Sequence, residues 1–305
     1  MAENWKITIL APRDVVQAAL LAHESAAGWN PQIGLSGCEV DPDRPDDWML
    51  EAWLAHRPTA ADRKAIASLF ARKAPVMQTE QLPDIDWVSE SQKGLSPISA
   101  GRFFVHTPDH PASDEPGIVN FRIPAGQAFG TGHHETTAGC LAMLDRMKRR
   151  GIVVRNCADI GTGTGLLAFA AMQLWPRAIL TASDIDPLCA AVTMDNAQLN
   201  AIPTGARGGE LTVTIADGMD HPLLNGRGPY DLVIANILAG PLIAMAPQFS
   251  RAMVPGGSLL LAGLLNSQEF GVRRACRRAG LRLAEKRKEG DWSILWFRKR
   301  PGVIV

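Results

Sequence analysis

Apolar and polar positions change their rhythm once along the chain. In the first stretch, Trp5-Lys6-Ile7-Thr8-Ile9-Leu10 alternates with a period of two and predicts a strand. Pro12 opens a helix to about Ala27, with Val15, Val16, Ala19, Leu20 and His23 at helical spacing. Gly34–Val40 predicts a short strand, and the turn-rich acidic run Asp41–Asp46 separates it from a clearer one, Trp48–Leu54. Thr59 stands where an N-cap belongs, ahead of a helix from Ala60 to about Lys73, and Val76–Leu82 is again extended. Strand-helix-strand-strand-helix-strand is a ferredoxin-like order, so residues 1–82 predict a small α+β domain. Its Trp29, Trp48 and Trp53 read as core or as a contact surface. Pro83 marks its end, and the polar, helically patterned segment 83–94 reads as a linker helix.

From residue 95 to 305 the pattern is that of a larger domain. Gly101–His106 and Asn120–Ile123 read as strands around a Pro- and Asp-rich surface loop, and Ala138–Arg150 reads as a helix with Leu141, Leu144 and Met147 inward. Apolar strands and helices then alternate. The strand into Asp159 is followed by the helix Leu166–Trp175, and the strand Ala178–Ser183 by the helix Pro187–Asn200. The strands Leu211–Ala216 and Asp231–Ala235 follow, with a helix from about Ile237 to Arg251. Pro255-Gly256-Gly257 reads as a turn into the strand Ser258–Ala262, and Ser267–Ala279 as a helix. Leu281–Lys288 and Trp292–Arg298 close the chain as a hairpin. Near-continuous apolar strands joined by helices predict an α/β fold, a parallel sheet covered on both faces.

Composition narrows the class. Apolar residues are 46% and charged residues 20%, ordinary for a globular protein, and the formal net charge is zero. Nothing global therefore argues for nucleic acid or an anionic membrane, and no basic groove is evident in the sequence. The five cysteines (Cys38, Cys140, Cys157, Cys189, Cys276) include no CxxC and read as buried small apolar residues in a reducing compartment. With no signal-peptide pattern and no apolar run of membrane-spanning length, a cytoplasmic location is expected.

The chemistry concentrates at strand ends. In Ala158-Asp159-Ile160-Gly161-Thr162-Gly163-Thr164-Gly165-Leu166 an apolar strand meets glycine at every second position and then a helix start. Glycines let a ligand approach the backbone, and a helix N-terminus offers free N–H groups. The pattern is not the G-x-G-x-x-G of dinucleotide enzymes, and no Gly-Lys-Ser/Thr of a P-loop follows. Asp159 reads as a brace for the turn. The next strand ends in Asp184-Ile185-Asp186, where Asp184 suits the hydroxyls of a ribose. Asp217-Gly218 would lie near an adenine, whose exocyclic amine a carboxylate can accept from.

Asn236 ends another apolar strand, where its amide oxygen can accept from a substrate amine; the competing reading is a helix N-cap. A further segment, 124–137 (PAGQAFGTGHHETT), reads as a loop that wraps a ligand. Its His133-His134-Glu135 does not make a zincin motif, because Ala138 stands where the second histidine is needed, and no metal is expected.

Asp-x-Gly-x-Gly-x-Gly resembles motif I of the Rossmann-like class I S-adenosylmethionine-dependent methyltransferases, and a terminal antiparallel hairpin is their topology. Ala128–Thr137, the glycine turn, Asp184–Pro187, Ala235-Asn236-Ile237-Leu238-Ala239-Gly240-Pro241 and Ala262-Gly263-Leu264-Leu265 together resemble the PrmA family. These methyltransferases modify the eleventh protein of the large ribosomal subunit. The resemblance covers the larger domain closely and the first domain by size and strand order. It implies S-adenosylmethionine as cofactor, with contacts at Thr137, Gly161, Asp184 and Asn236; Phe129, Gly163, Gly165 and Asp217 are expected to join them, and Asn236 is expected to be catalytic as well. It implies methylation of lysine side chains and the N-terminal α-amine of that protein, with the ferredoxin-like domain gripping the substrate. An amino-methyltransferase for another protein or a nucleobase, or a non-catalytic ribosome-associated module, are the alternatives.

Overall fold

The computed structural model describes residues 4–300 apart from 25, 27–28, 31–32, 41–43, 45, 73, 82–95 and 125–133. Two compact units, Met1–Glu90 and Ser91–Val305, divide the chain. The linker helix expected at 83–94 lies outside the described residues.

The first unit runs β1 (Trp5–Pro12), α1 (Arg13–Glu24), β2 (Gly34–Glu39), β3 (Asp47–Leu54), α2 (Ala60–Ala67) and β4 (Met77–Gln81). Its four strands pair antiparallel in the order β2-β3-β1-β4, which is the ferredoxin-like sheet the element order predicts. Alternation puts Ile7, Ile9, Leu50, Ala52 and Leu54 on the inner face, where they bury against Val16, Ala19 and Ile66 of the helices. Thr59 and Asp62 form a reciprocal capping box at the start of α2. The helix stops six residues before the expected Lys73. The Ser68 hydroxyl donates back to the Ala65 carbonyl, and the chain turns to bury Leu69 and Phe70. Trp29 and Trp48 pack on the core while half exposed, and the half-buried Trp53 lies 5.4 Å beneath the Lys6 ammonium.

The second unit opens with a small sheet of β5 (Ile98–Ala100), β6 (Phe103–His106) and β7 (Val119–Arg122), followed by α3 (His134–Arg149). Then come β8 (Asn156–Ile160), α4 (Leu166–Leu174), β9 (Ile179–Asp184), α5 (Pro187–Leu199), β10 (Leu211–Ile215), α6 (Pro222–Arg227) and β11 (Tyr230–Asn236). The unit ends with α7 (Ala239–Ala252), β12 (Met253–Leu265), α8 (Glu269–Arg278), β13 (Leu281–Glu289) and β14 (Trp292–Lys299). The large sheet has the order β10-β9-β8-β11-β12-β14-β13, parallel from β10 to β12 and antiparallel at β14. That is the class I methyltransferase sheet.

Both its faces are dry. Leu232, Ile234, Leu260 and Ala262 bury on one face with Leu141 and Phe169; Val233, Ala235, Leu259 and Leu261 bury on the other with Leu242, Phe249 and Val272. Period-two side chains that are apolar on both sides give the continuous apolar runs read from the sequence.

Several boundaries move. The α3 helix begins at His134, four residues before the expected Ala138, so Thr136 and Thr137 sit in its first turn instead of in the loop. Pro255-Gly256-Gly257 does not precede its strand but interrupts it: β12 pairs Met253 with Tyr230 and Ser258 with Leu232, and the residues between bulge out. The short elements β5 and α6 have no periodicity that announces them. Of the cysteines, Cys140, Cys157 and Cys276 are buried as expected, whereas Cys38 is exposed and Cys189 half-buried, each on a short or exposed element.

Candidate functional site

Because β10, β9, β8 and β11 are consecutive and parallel, their carboxyl ends form one edge. It carries the glycine turn after Ile160, Asp184 at the end of β9, Asp217 just beyond β10 and Asn236 at the end of β11. Three residues named from separate motifs are thereby brought to one place.

The glycine turn is held by its own hydrogen bonds. Gly161, Gly163 and Gly165 all have positive φ (71°, 55° and 84°), which L side chains rarely adopt. The Gly161 and Thr162 N–H groups both donate to the Ser183 carbonyl, at 2.8 and 2.9 Å, and the Gly165 N–H donates to Thr162 O at 2.9 Å. The Gly163 N–H donates to Asp184 Oδ2 at 2.9 Å. All four of these N–H groups are used in shaping the turn, which lies before the helix N-terminus. From α5, Thr193 Oγ1 donates to the Gly163 carbonyl and Asn196 Nδ2 to the Thr164 carbonyl, at 2.9 and 3.0 Å. Neither residue was singled out from the sequence; their one signal is that polar side chains three apart occupy the buried face of a helix.

Asp184 is nearly buried, and each of its oxygens already accepts one backbone N–H, from Gly163 (Oδ2) and from Asp186 (Oδ1, 3.1 Å). The Cys189 thiol is also hydrogen-bonded to Asp184, and since a carboxylate has about four acceptor positions, room for a ligand's hydroxyl remains. Asp186 serves as the N-cap of α5. Asp217 is exposed and is placed beside Asp184 by the Ala216 N–H donating to the Asp184 carbonyl at 2.8 Å.

Asp159, beneath the turn, is 1% exposed. Its carboxylate accepts from Thr162 Oγ1 at 2.8 Å and from the Ala168 N–H, which braces the turn against the start of α4 as the sequence suggested. Desolvation raises its pKa from 3.8 to about 7, with a further push from the Asp184 charge that outweighs part of the pull of those two donors.

Asn236 is not an N-cap. The α7 helix is capped at Leu238, two residues later, with no side-chain hydrogen bond. Among the described residues nothing donates to Asn236 Oδ1, which is buried. Its position follows from the next residue. A Cβ at Gly161 would lie 2.3 Å from Ile237 Cγ2, and one at Gly263 would lie 2.4 Å from the Ile237 carbonyl oxygen. Ile237 thus occupies space that only glycines on the two neighbouring strands leave open. Thr137 is buried in the first turn of α3. Phe129 and His133 lie outside the described residues, as does most of the loop expected to wrap a ligand.

Residues 43–300 match the family model described as ribosomal protein L11 methyltransferase (PrmA). A protein of Agrobacterium fabrum named ribosomal protein L11 methyltransferase is 40% identical over 269 residues, 88% of this chain and 89% of that one. A protein of Rhizobium meliloti with the same name is 39% identical over 281 residues, covering 90% and 92%. Among solved structures, a ribosomal protein L11 methylase of Lactobacillus delbrueckii subsp. bulgaricus superposes with a TM-score of 0.54 at 25% identity, over 68% of this chain and 98% of that one.

Three outcomes follow from this geometry. Gly263→Ala combines a Cβ at φ +81° with a clash against backbone, so the larger unit should lose about 2–4 kcal/mol, seen as a lower Tm in calorimetry; an unchanged Tm would show that Ile237 moves freely. Asp184→Ala should weaken S-adenosylmethionine binding about 10–100-fold by titration calorimetry, the worth of hydrogen bonds to a charged acceptor. Asp159 is protonated more readily folded than unfolded, so the folded state holds the extra proton between pH 3.8 and about 7. Wild-type stability should therefore fall as pH rises through that window relative to Asp159→Asn, and parallel Tm-versus-pH curves would reject the assignment.

Proposed function

This chain belongs to the ribosomal protein L11 methyltransferase family (PrmA), and we propose that the edge formed by Gly161, Asp184, Asp217 and Asn236 is where it carries out the family's reaction. It is an S-adenosylmethionine-dependent methyltransferase that acts on ribosomal protein L11. The acceptors, in our reading, are lysine side-chain amines and the N-terminal α-amine.

The observation that carries the site assignment is Asn236 Oδ1, a buried amide oxygen at the strand edge without a donor among the described residues. A buried acceptor left unpaired costs roughly 1–3 kcal/mol, a cost relieved when a ligand N–H reaches it. The rest of the edge suits the cofactor. Asp184 has an acceptor position left for a ribose hydroxyl, Asp217 lies one strand further out for an adenine amine, and the glycine turn presents backbone without side chains. Thr137 by the family resemblance, and Phe129, complete the cofactor set.

Bound there, S-adenosylmethionine supplies an activated methyl group that an amine displaces in line. The chain's own work is then positional. The Asn236 oxygen accepts an N–H of the incoming amine and so fixes where the nitrogen lone pair points. It can do so because Ile237 is wedged between Gly161 and Gly263, which leaves the strand end one conformation. The amine must be neutral to react. A free lysine amine titrates at about 10.4 and an α-amine at about 8, and a desolvated site at the strand edge disfavours the ammonium.

We assign substrate gripping to the ferredoxin-like unit, which has its own core and half-exposed tryptophans. We place the enzyme in the cytoplasm, since among the described residues no helix is long and apolar enough to cross a membrane; recovery with the cell envelope on fractionation would reject that. The test of the reaction is intact-mass spectrometry of unmethylated L11 incubated with the enzyme and S-adenosylmethionine. Mass should rise in methyl steps. Asn236→Ala should lower kcat by about 10²-fold, the worth of one contact made at the transition state. An enzyme lacking residues 1–82 should bind cofactor and leave L11 unmodified. No mass gain with demonstrated cofactor binding would discard this substrate, and full activity of the truncated enzyme would discard the gripping role.

A further inference from the structure

The balanced charge of the chain conceals a local imbalance. Residues 269–300 contain eleven Lys and Arg against four Asp and Glu. The fold then separates the two signs. Glu269 takes Arg273 and Lys286, at 2.8 and 3.3 Å; Glu285 takes Arg146 and Arg150 of α3; Glu289 takes Arg287. Each of these three carboxylates is spent. On the outer face of α8 and the adjoining ends of β13 and β14, Arg274, Arg277, Arg282 and Arg300 are exposed and have no ion pair or hydrogen bond among the described residues.

These four guanidiniums and Arg273 line one groove of 660 Å³ together with Phe270. Its floor is apolar, since Leu281 and Phe297 reach it while each is 1% exposed, and among the described residues no carboxylate lines it. Phe270 is 76% exposed, an aromatic ring in water on the first turn of a helix whose inner face buries Val272 and Cys276. An exposed ring beside unpaired guanidiniums has no account in the packing of the unit, whose core is complete without it.

We propose that this groove binds single-stranded RNA, with the arginines on successive phosphates and a base stacked on Phe270. The ligand must offer repeated anions, because Arg273 and Arg277 stand about 6 Å apart along the helix axis and Arg282 and Arg300 face them from the sheet. It must also offer a flat apolar face for the ring. A nucleotide chain supplies both in every unit, whereas an acidic peptide supplies the anions and leaves Phe270 unused. Arginine, the sole cation lining the groove, forks onto phosphate oxygens in pairs and stacks on bases. The groove is separate from the methyl-transfer edge, and the inference stands whether or not L11 is the substrate.

The test uses the full-length protein and a short fluorescent oligouridine, followed by anisotropy between about 50 and 200 mM salt. Four unpaired arginines predict a slope of log affinity against log salt of about −3, at roughly −0.7 per phosphate. The Arg274→Ala/Arg277→Ala/Arg282→Ala variant should bind at least about tenfold more weakly at low salt and lose about 2 from the slope. Phe270→Ala should weaken binding about tenfold and leave the slope alone. Unchanged S-adenosylmethionine binding by each variant confirms that it is folded. Variants that bind as the wild type does, or a wild type that binds no RNA at low salt, would overturn the proposal. So would displacement of the RNA by oligoglutamate at equal charge concentration, which would make the partner an acidic polypeptide.

Discussion

The geometry of the site depends on the space left empty by two glycines. Gly161 directly follows β8 and Gly263 lies in β12, and β11 runs between those strands. Neither has a side chain, so Ile237 at the end of β11 sits down between them, its side chain against Gly161 and its backbone against Gly263. With Ile237 held there, the backbone of the residue before it, Asn236, is fixed at the strand end. The contact passes the rigidity of a seven-stranded sheet to the point from which that amide projects.

The glycine turn is positioned from the other side by polar groups. Its N–H groups point to Ser183 O and Asp184, and its carbonyls take Thr193 and Asn196. The turn therefore serves a ligand less by donating hydrogen bonds than by leaving room, which is a different use of glycine from the anion cradle of a phosphate loop. Asp184 does two jobs with one carboxylate: it fastens the turn and keeps an acceptor position for a ligand. Asp159 does one. Buried below with Thr162 and the Ala168 N–H, it ties the turn to the start of α4 at the cost of a raised pKa.

Much of this was legible in the chain because the signals are local. Strand periodicity, the glycines at every second position and the acid ending the next strand each sit within a few residues, and the parallel sheet follows from their alternation. The reading failed where the deciding contact is distant in sequence. The α3 helix starts at His134 because Thr136 and Thr137 bury, which a Gly- and Thr-rich segment does not announce. Asn236 looked equally like a helix cap, and only the position of Leu238 as the true cap separates the two readings. Thr193 and Asn196 are ordinary helix residues until α5 is laid beside the turn. Pro255-Gly256-Gly257 reads as a turn before a strand but is a bulge inside one, because β11 supplies the pairing on both sides of it.

Charge shows the same limit in its plainest form. A net charge is a sum, and a partner meets a surface. In this chain three acids of the last segment are drawn inward to α3, to β13 and to the start of α8, where each neutralises a cation that the fold brings to it. The arginines at 274, 277, 282 and 300 are left over by geometry, not by composition, and they fall on one face because helical spacing and an edge hairpin put them there. An exposed edge strand rich in Lys and Arg also resists pairing with another chain, and that accounts for Lys286, Arg287 and Lys288 on β13. It does not account for the helix face or for Phe270, whose exposure gains nothing for the solubility of an edge. The two functions of positive charge therefore separate by element: protection along the strand, and recognition in the groove beside it.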